Sequence, residues 1–420
     1  MKKIAVIGCG LRGDCYLYHL RKHLKQDLKL VAIADPRPLA REIFLKNYGN
    51  PDTETFSTGP ELLEKWGRKL DGVIITSPNA YHEESLIPAF RLRIPVLLEK
   101  PVATTIEQLR RIWEEYIRSG NPPVIIGFVL RHTPFLARVR EFIERGDIGE
   151  ILTIESSENM GPPLVSLYLR GWRRKKEVAG PLILEKCSHD LDALILLAGS
   201  RVKRISSFAS LTHFIPRKEA SLHCRDCRYR DTCRYSDLNI ASYFIESARK
   251  ESISPLLQQP DLCVFNVDKD IPDHQVTIME FENGILATFT IAMDHPYTTR
   301  YLHIKGTRGS IWGDLSRDYL RITRHPHPGK KSFSTQEIKV IHDGSGHHGG
   351  DRPLTEEFLR LMEGKESLKK AGLREGIEAC LIALVAEESV MRNISLKLGR
   401  FYKEVFGKTL SSIQETSLSP

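Results

Sequence analysis

The first third of the chain alternates solid apolar runs with longer amphipathic stretches. Ile4–Ile7, Leu30–Ala34, Asp71–Ile75, Pro95–Leu98 and Val124–Val129 are short and nearly free of polar residues, as strands buried on both faces are. Helical spacing fills the gaps, over Asp14–Leu24, Pro36–Tyr48, Glu61–Trp66 and a stretch beginning near Thr105. Strand and helix alternating through residues 1–129 predict a doubly wound parallel sheet. The pattern then changes. Pro134–Arg145 is helical, Ile151–Ser156 alternates as a strand, and Leu191, Leu194, Ile195 and Ala198 give 180–199 a helical stripe. From Gln275 onward, alternating strands meet at tight turns, first at Glu282-Asn283-Gly284 and then at Gly306–Gly309. Two helices, Leu354–Glu363 and Leu373–Val390, follow. The expected fold class is α/β: a Rossmann domain over 1–129, then an α+β domain over 130–406 with an open, mainly antiparallel sheet, and a Ser/Thr-rich tail at 407–420.

Composition narrows the class. At 420 residues, with 41% hydrophobic and 27% charged, two globular domains are the natural prior. No apolar stretch approaches the roughly 20 residues of a membrane span. The N-terminus enters a strand with no signal-peptide pattern, so a cytoplasmic protein is expected. The net charge of +8 is small for this length, and no nucleic-acid reader motif accompanies it. The densest basic run, Arg170–Lys176 (RGWRRKK), reads either as a solvated loop or as a collector of an anionic substrate.

The chemistry begins where the first apolar run ends. Gly8, Gly10 and Gly13 stand at G-x-G-x-x-G spacing, with Leu11 and Arg12 inside the motif. Gly8 permits the tight turn, Gly10 lets backbone approach a pyrophosphate, and Gly13 lets helix and strand pack closely. The following helix offers its free N–H groups to the phosphates. Asp35 lies 22 residues after Gly13, at the end of the second strand, where a carboxylate accepts from a ribose 2′-hydroxyl. NAD is therefore the expected cofactor. Arg37 could tolerate a 2′-phosphate, which keeps NADP open. Thr76, Pro78, Asn79 and His82 follow the strand at Asp71–Ile75, at the carboxyl edge where such sheets bind ligands. His82 reads equally as a helix cap or packing residue.

Three segments in order, AVIGCGLRG (5–13), TSPNAYH (76–82) and EKPVA (99–103), resemble the glucose–fructose oxidoreductase/inositol dehydrogenase (Gfo/Idh/MocA) family. The resemblance continues to about residue 400. It implies an NAD(P)-dependent oxidoreductase acting on a sugar, cyclitol or related polyol, with Glu99 and Lys100 at the nicotinamide end and Lys100 reaching the substrate hydroxyl. In the family a carboxylate and a histidine four residues apart line the substrate cleft. His189 matches the histidine, and Glu185 stands where the family more often has Asp. Asp190 and Asp192 are alternative carboxylates. A histidine near neutrality serves as general base, a carboxylate steadies its charged form, and an ammonium stabilises an alkoxide. Relatives also suggest two other readings: an NAD-dependent glycosidase working by transient oxidation and elimination, or a non-catalytic nucleotide-binding regulator. An open sheet face suggests a homo-dimer or homo-tetramer.

Two motifs stand outside this scheme. Cys224, Cys227 and Cys233 are spaced C-x2-C-x5-C, and Cys263 follows 30 residues later, within an insertion at about 213–265. Four thiolates suit a structural zinc or, less well, an iron–sulfur cluster; free thiols or an oxidised pair are the alternatives. The segment DGSGHHGGD (343–351) sets His347 and His348 among glycines, for substrate contact or a metal.

Overall fold

The computed structural model describes residues 1–23, 28–239, 261–326, 332–365 and 371–407. The expected end of the first helix at Leu24, the middle of the insertion and the tail beyond 407 lie outside the described residues. The chain forms two units: residues 1–129, 351–385 and 397–420 make the first, and 130–350 with 386–396 the second.

The apolar runs of the first unit become strands β1 (Lys2–Ile7), β2 (Leu28–Ala34), β3 (Glu54–Phe56), β4 (Gly72–Ile75), β5 (Val96–Leu98) and β6 (Val124–Ile126). They form one parallel sheet in the order β3-β2-β1-β4-β5-β6. Ile4–Ile7, Val73–Ile75 and Val96–Leu98 are buried throughout, as a sheet covered on both faces requires. The strand order turns back between β1 and β4, and the ends of that pair open the crevice where such sheets bind ligands. Helices α1 (Leu11–Tyr18), α2 (Pro38–Tyr48), α3 (Gly59–Trp66), α4 (His82–Arg91) and α5 (Ile106–Arg118) connect the strands. Thr58 and Glu61 form a reciprocal capping box on α3, and Thr105 caps α5, which fixes both starts. α1 is shorter than its periodicity predicts, because His19–His23 widens into π-helical geometry.

Sequence order assigned 130–406 to one second domain, and the structure corrects this. Residues 351–385 and those from 397 cluster with the parallel sheet. The helix Asp351–Met362 sets Phe358 and Met362 against Gly72, so closely that a Cβ there would lie 2.5 Å from the methionine sulfur. The Ile126 N–H donates to the Ala371 carbonyl at 2.8 Å. These segments bury apolar side chains such as Phe358 against the first unit.

The second unit comprises α6 (Pro134–Glu144), β7 (Ile151–Met160), α7 (Pro162–Arg170), α8 (Lys176–Ala179), α9 (Leu182–Ala198), β8 (Val202–Ser210), β9 (His274–Phe281), β10 (Leu286–Met293), β11 (Thr299–Gly306), β12 (Gly309–Asp314), β13 (Tyr319–Arg324) and β14 (Ser334–Lys339). Its sheet runs β14-β13-β12-β11-β7-β10-β9-β8, with the short strand Leu396–Lys397 beyond β8. Both predicted hairpins are present, and Gly284 takes the left-handed backbone (φ +87°) that the first turn demands. One pair, β7–β10, is parallel. Parallel neighbours need a long connection, and here α7, α8, α9 and the β8–β9 segment supply it. The α9 helix lies on β7 and β10. One sheet face buries Ile154, Met279, Phe289, Ile291 and Ile304, while Leu152, Phe208, Val276, Ile278 and Leu286 are exposed.

Candidate active site

At the carboxyl end of β1, Gly8 turns with φ +99°, and a Cβ there would lie 2.5 Å from Ser77 N. Thr76 Oγ1 donates to the Gly8 carbonyl at 2.7 Å and ties the turn to the end of β4. A Cβ on Gly13 would lie 2.7 Å from the Gly8 oxygen. Gly10 is different: nothing stands within 4 Å of its Cβ position. That open backbone, followed at once by the half-buried Leu11 and the N–H groups of α1, is a cradle that fits a pyrophosphate.

Asp35 ends β2 and is buried. Its carboxylate accepts from Cys9 N, from Arg37 N, and from Arg37 Nε and Nη2, each at 2.9 Å. Its roughly four lone-pair positions are therefore all engaged. The hydrogen bond to Asp35 raises the Arg37 pKa despite partial burial.

The side chain of Arg12 is held by protein groups. Its guanidinium donates to Glu99 at 2.6 Å, to Asp351 at 2.8 Å and to the Tyr16 hydroxyl at 2.8 Å, while Tyr16 donates to Glu99. Burial pushes the Glu99 pKa up, but the Arg12 and Lys100 charges and the Tyr16 bond outweigh it and hold the carboxyl below its usual range. Arg12 and Glu99 thus form an ionic cluster with Asp351 and Tyr16. Nothing in the motif spacing signals Tyr16 or Asp351, the second of which arrives from the far end of the chain.

Asn79, just after Pro78, is buried in a single 3-10 turn, and His82 heads α4, wholly buried. The two ring nitrogens of His82 lie 2.8 Å from the carbonyls of Ser77 and Pro101. Burial lowers its pKa against the pull of those bonds. His82 therefore laces the loop after β4 to the loop after β5, the packing role weighed above. Lys100 follows β5, and its backbone N–H donates to Glu99 at 3.1 Å. The Lys100–Pro101 bond is cis.

In the second unit, α9 carries Glu185 and His189 one turn apart, and both are buried. Arg173 Nε donates to Glu185 at 2.8 Å. Tyr168 is wholly buried; burial first, then the adjacent Glu185, raises its pKa well above normal. The His189 ring lies 6.3 Å, centre to centre, from that of His347. Asp190 and Asp192, the alternative carboxylates, are committed elsewhere: Asp190 to Arg300 at 2.8 Å and Asp192 to Arg131 at 2.7 Å. Glu158 on β7, with no exposed side-chain surface, pairs with Lys186 at 2.9 Å and Arg300 at 2.8 Å. Four carboxylates (Glu158, Glu185, Asp190, Asp192) thus meet four cations (Arg131, Arg173, Lys186, Arg300) around one helix. The balance lets α9 carry so much charge into a buried setting.

The basic run proves to be neither solvated loop nor free cationic patch. Arg170 is buried, donating to the carbonyls of Leu262 and Tyr235 and to Cys224 Sγ at 3.3 Å. Arg173 holds Glu185, Arg174 caps local carbonyls, Lys175 meets Asp268 and Lys176 meets Glu387.

Cys224, Cys227, Cys233 and Cys263 line one cavity of about 400 Å³. A bridge between His223 and Leu262 brings the first and last together, with Cys224 N donating to Asp261 and Cys263 N to Leu222. None of the four is joined in a disulfide. Among the described residues, the groups with three ligand atoms within 4.8 Å of one another are Cys15–His19–Asp351 and Asp318–His342–His348; the four cysteines share a cavity but form no such group.

A glycine cradle over a parallel sheet, with a histidine-bearing helix on a mixed sheet, defines a two-domain nucleotide-dependent oxidoreductase. The comparisons agree: residues 2–128 match the description "Oxidoreductase family, NAD-binding Rossmann fold", and 140–397 match "Oxidoreductase family, C-terminal alpha/beta domain". The chain belongs to the Gfo/Idh/MocA oxidoreductase family. It is 25% identical to YteT of Bacillus subtilis over 80% of this chain and 82% of that one. It is 32% identical to an inositol 2-dehydrogenase of Corynebacterium glutamicum, over 48% of this chain and 55% of the relative. Several inositol 2-dehydrogenases are matched over little more than half their length. Among solved structures, a levoglucosan dehydrogenase in complex with NADH and L-sorbose superposes with a TM-score of 0.71 at 18% identity, covering 96% of this chain and 100% of that one. An apo scyllo-inositol dehydrogenase from Lactobacillus casei gives 0.65 at 16%, covering 95% and 98%. Among the described residues no helix is long and apolar enough to cross a membrane.

Proposed function

We propose that this enzyme oxidises a carbinol carbon of a sugar or cyclitol, or reduces the matching ketone, with NAD as its cofactor and NADP as a second choice. The observation that carries the reading is the open backbone at Gly10, between the clamped turn at Gly8 and the start of α1. Gly8, Gly10, Leu11 and Gly13 would hold the pyrophosphate by backbone, Asp35 and Arg37 the adenosine ribose, and Thr76, Pro78 and Asn79 the neighbouring edge. When bound, the nicotinamide supplies the two-electron acceptor. His189 takes the hydroxyl proton at a ring nitrogen, as general base. Lys100, in the first unit, supplies an ammonium of the kind that stabilises a growing alkoxide charge. Glu185, oriented by Arg173, steadies the imidazolium. The inositol and levoglucosan dehydrogenases among the relatives and fold neighbours support the substrate class. A screen of sugars, cyclitols and sugar acids by nicotinamide absorbance tests it: at least one member should reduce NAD, and silence across the panel with NAD bound would defeat the reading.

We also propose that the four cysteines hold a structural zinc that staples the insertion, closing on the ion when it binds. Their shared cavity supports this, as does Arg170 beside Cys224, a cation suited to offset an anionic four-thiolate centre. The exposed stripe of Phe208, Val276, Ile278 and Leu286 supports a homo-oligomer built on the open sheet face.

A further inference from the structure

We propose that Asp318, His342 and His348 form a site for a divalent transition-metal ion that fastens the 342–350 loop to the start of β13. His342 Nε2 lies 3.3 Å from one oxygen of Asp318, and His348 Nδ1 lies 3.1 Å from the other. All three ligand atoms fall within 4.8 Å of one another. A tetrahedral zinc with bonds of about 2.0–2.2 Å holds neighbouring ligand atoms about 3.4 Å apart, so the set needs little adjustment. Two imidazoles and one carboxylate suit zinc, cobalt or nickel and leave a fourth position for water. The side chains are 17%, 23% and 32% exposed, so an ion can enter.

The backbone supports a built arrangement. Asp318 and His348 both adopt the left-handed conformation, at φ +51° and +53°, where non-glycine residues seldom sit. These conformations present one carboxylate and one imidazole to a common point. The other three-ligand group provides a contrast. In Cys15–His19–Asp351 the Arg12 guanidinium already contacts both Cys15 and Asp351, and a second cation would be repelled. At Asp318 the paired cation is Lys339, 3.9 Å away and 70% exposed, free to swing into solvent, and Arg300, whose charge reaches His348, is already matched by Glu158 and Asp190.

Binding asks both histidines to give up the hydrogen bond they now donate to Asp318: the ring proton of His348 moves from Nδ1 to Nε2, and that of His342 from Nε2 to Nδ1. His342 Nδ1 now accepts from Gly344 N at 3.1 Å. Metal at Nε2 moves the ring proton to Nδ1, and the Gly344 peptide must let go. Gly344 is at φ +77°, with nothing within 4 Å of its Cβ position, so it can move. The consequence reaches the candidate active site, because His347, next to the ligand His348, faces the His189 ring. The metal would fix where His347 stands.

The test titrates the full-length, chelator-stripped chain with Co²⁺, alongside Asp318→Asn, His342→Gln and His348→Gln. The cysteines would give an intense sulfur charge-transfer band, whereas this site gives only weaker visible bands of nitrogen and oxygen ligation. The wild type should show that component, and each variant should lose it or bind at least tenfold more weakly while the sulfur band stays. Identical non-sulfur bands and affinity in all four proteins would overturn the proposal. Anomalous diffraction at the zinc edge from wild-type crystals grown with Zn²⁺ needs no variant: a peak between Asp318 and the two histidines supports the site, and its absence there overturns it.

Discussion

Arg37 closes on Asp35 with two guanidinium bonds of 2.9 Å, so the residue expected to select the ribose arrives already neutralised. To accept a 2′-hydroxyl, Asp35 must give up at least one of these bonds. With Arg37 turned outward, a 2′-phosphate gains a cationic partner. Arg37→Ala should therefore weaken NADP relative to NAD by at least tenfold, the worth of one charge-assisted contact at about 1.5–3 kcal/mol. Fluorescence titration with both reduced cofactors measures the ratio, and an unchanged ratio would remove Arg37 from cofactor choice.

Lys100 and His189 should act on turnover more than on cofactor binding. Lys100→Ala and His189→Ala are each expected to lower turnover by about two or more orders of magnitude, the usual scale for acid–base groups. NADH affinity should stay within severalfold. Wild-type turnover in either variant with an authentic substrate would falsify that residue's role.

Glu158 offers a stability test independent of substrate. It is wholly buried between Lys186 and Arg300. Glu158→Ala leaves the partly buried Lys186 without its carboxylate and Arg300 with Asp190 alone, and breaking a buried arrangement of this kind costs up to about 3–5 kcal/mol. Urea unfolding followed by circular dichroism should show a clearly lowered midpoint for the transition of this unit. A midpoint within error of wild type would show that the network contributes little.

The Arg12–Glu99 pair predicts a pH signature. The Glu99 pKa lies below its unfolded value, so the group adds stability above the unfolded carboxylate range, and that stability is lost as pH falls through the folded pKa. Arg12→Met removes the main opposing charge and leaves burial dominant. The pKa should then rise above the unfolded value, and the contribution of Glu99 near neutrality becomes destabilising. Chemical unfolding at pH 5 and pH 8 should show the variant losing more stability, relative to wild type, at the higher pH. Equal losses at both would contradict the assignment.

Zinc in the insertion makes a composition-level prediction. Protein purified without chelator should contain zinc that falls by about one equivalent per chain in Cys224→Ser and in Cys227→Ser, as expected when one of four ligands is lost. Elemental analysis decides it, and equal zinc in wild type and variants would leave these cysteines as free thiols.

Local pattern was sufficient for much of this protein. The solid apolar runs fixed the parallel strands, because only a sheet covered on both faces buries such runs. The glycine spacing and Asp35 marked the nucleotide end, because each requirement there is local to a turn. Three matters depended on which distant segments meet. The partners of Glu99, Glu185 and Asp190 are arginines at 12, 173 and 300, and no periodicity links them. The same burial that makes these charges costly leaves no trace in composition. Residues 351–385 joined the first unit, not the second, because their apolar faces match its sheet. Asp318, His342 and His348 came within ligand distance only because a strand pair and a glycine loop end at the same place. Local sequence thus set each element's kind and the chemistry it carries, while long-range packing alone decided which charges are neighbours, since side-chain pairing across a fold follows spatial proximity and not spacing along the chain.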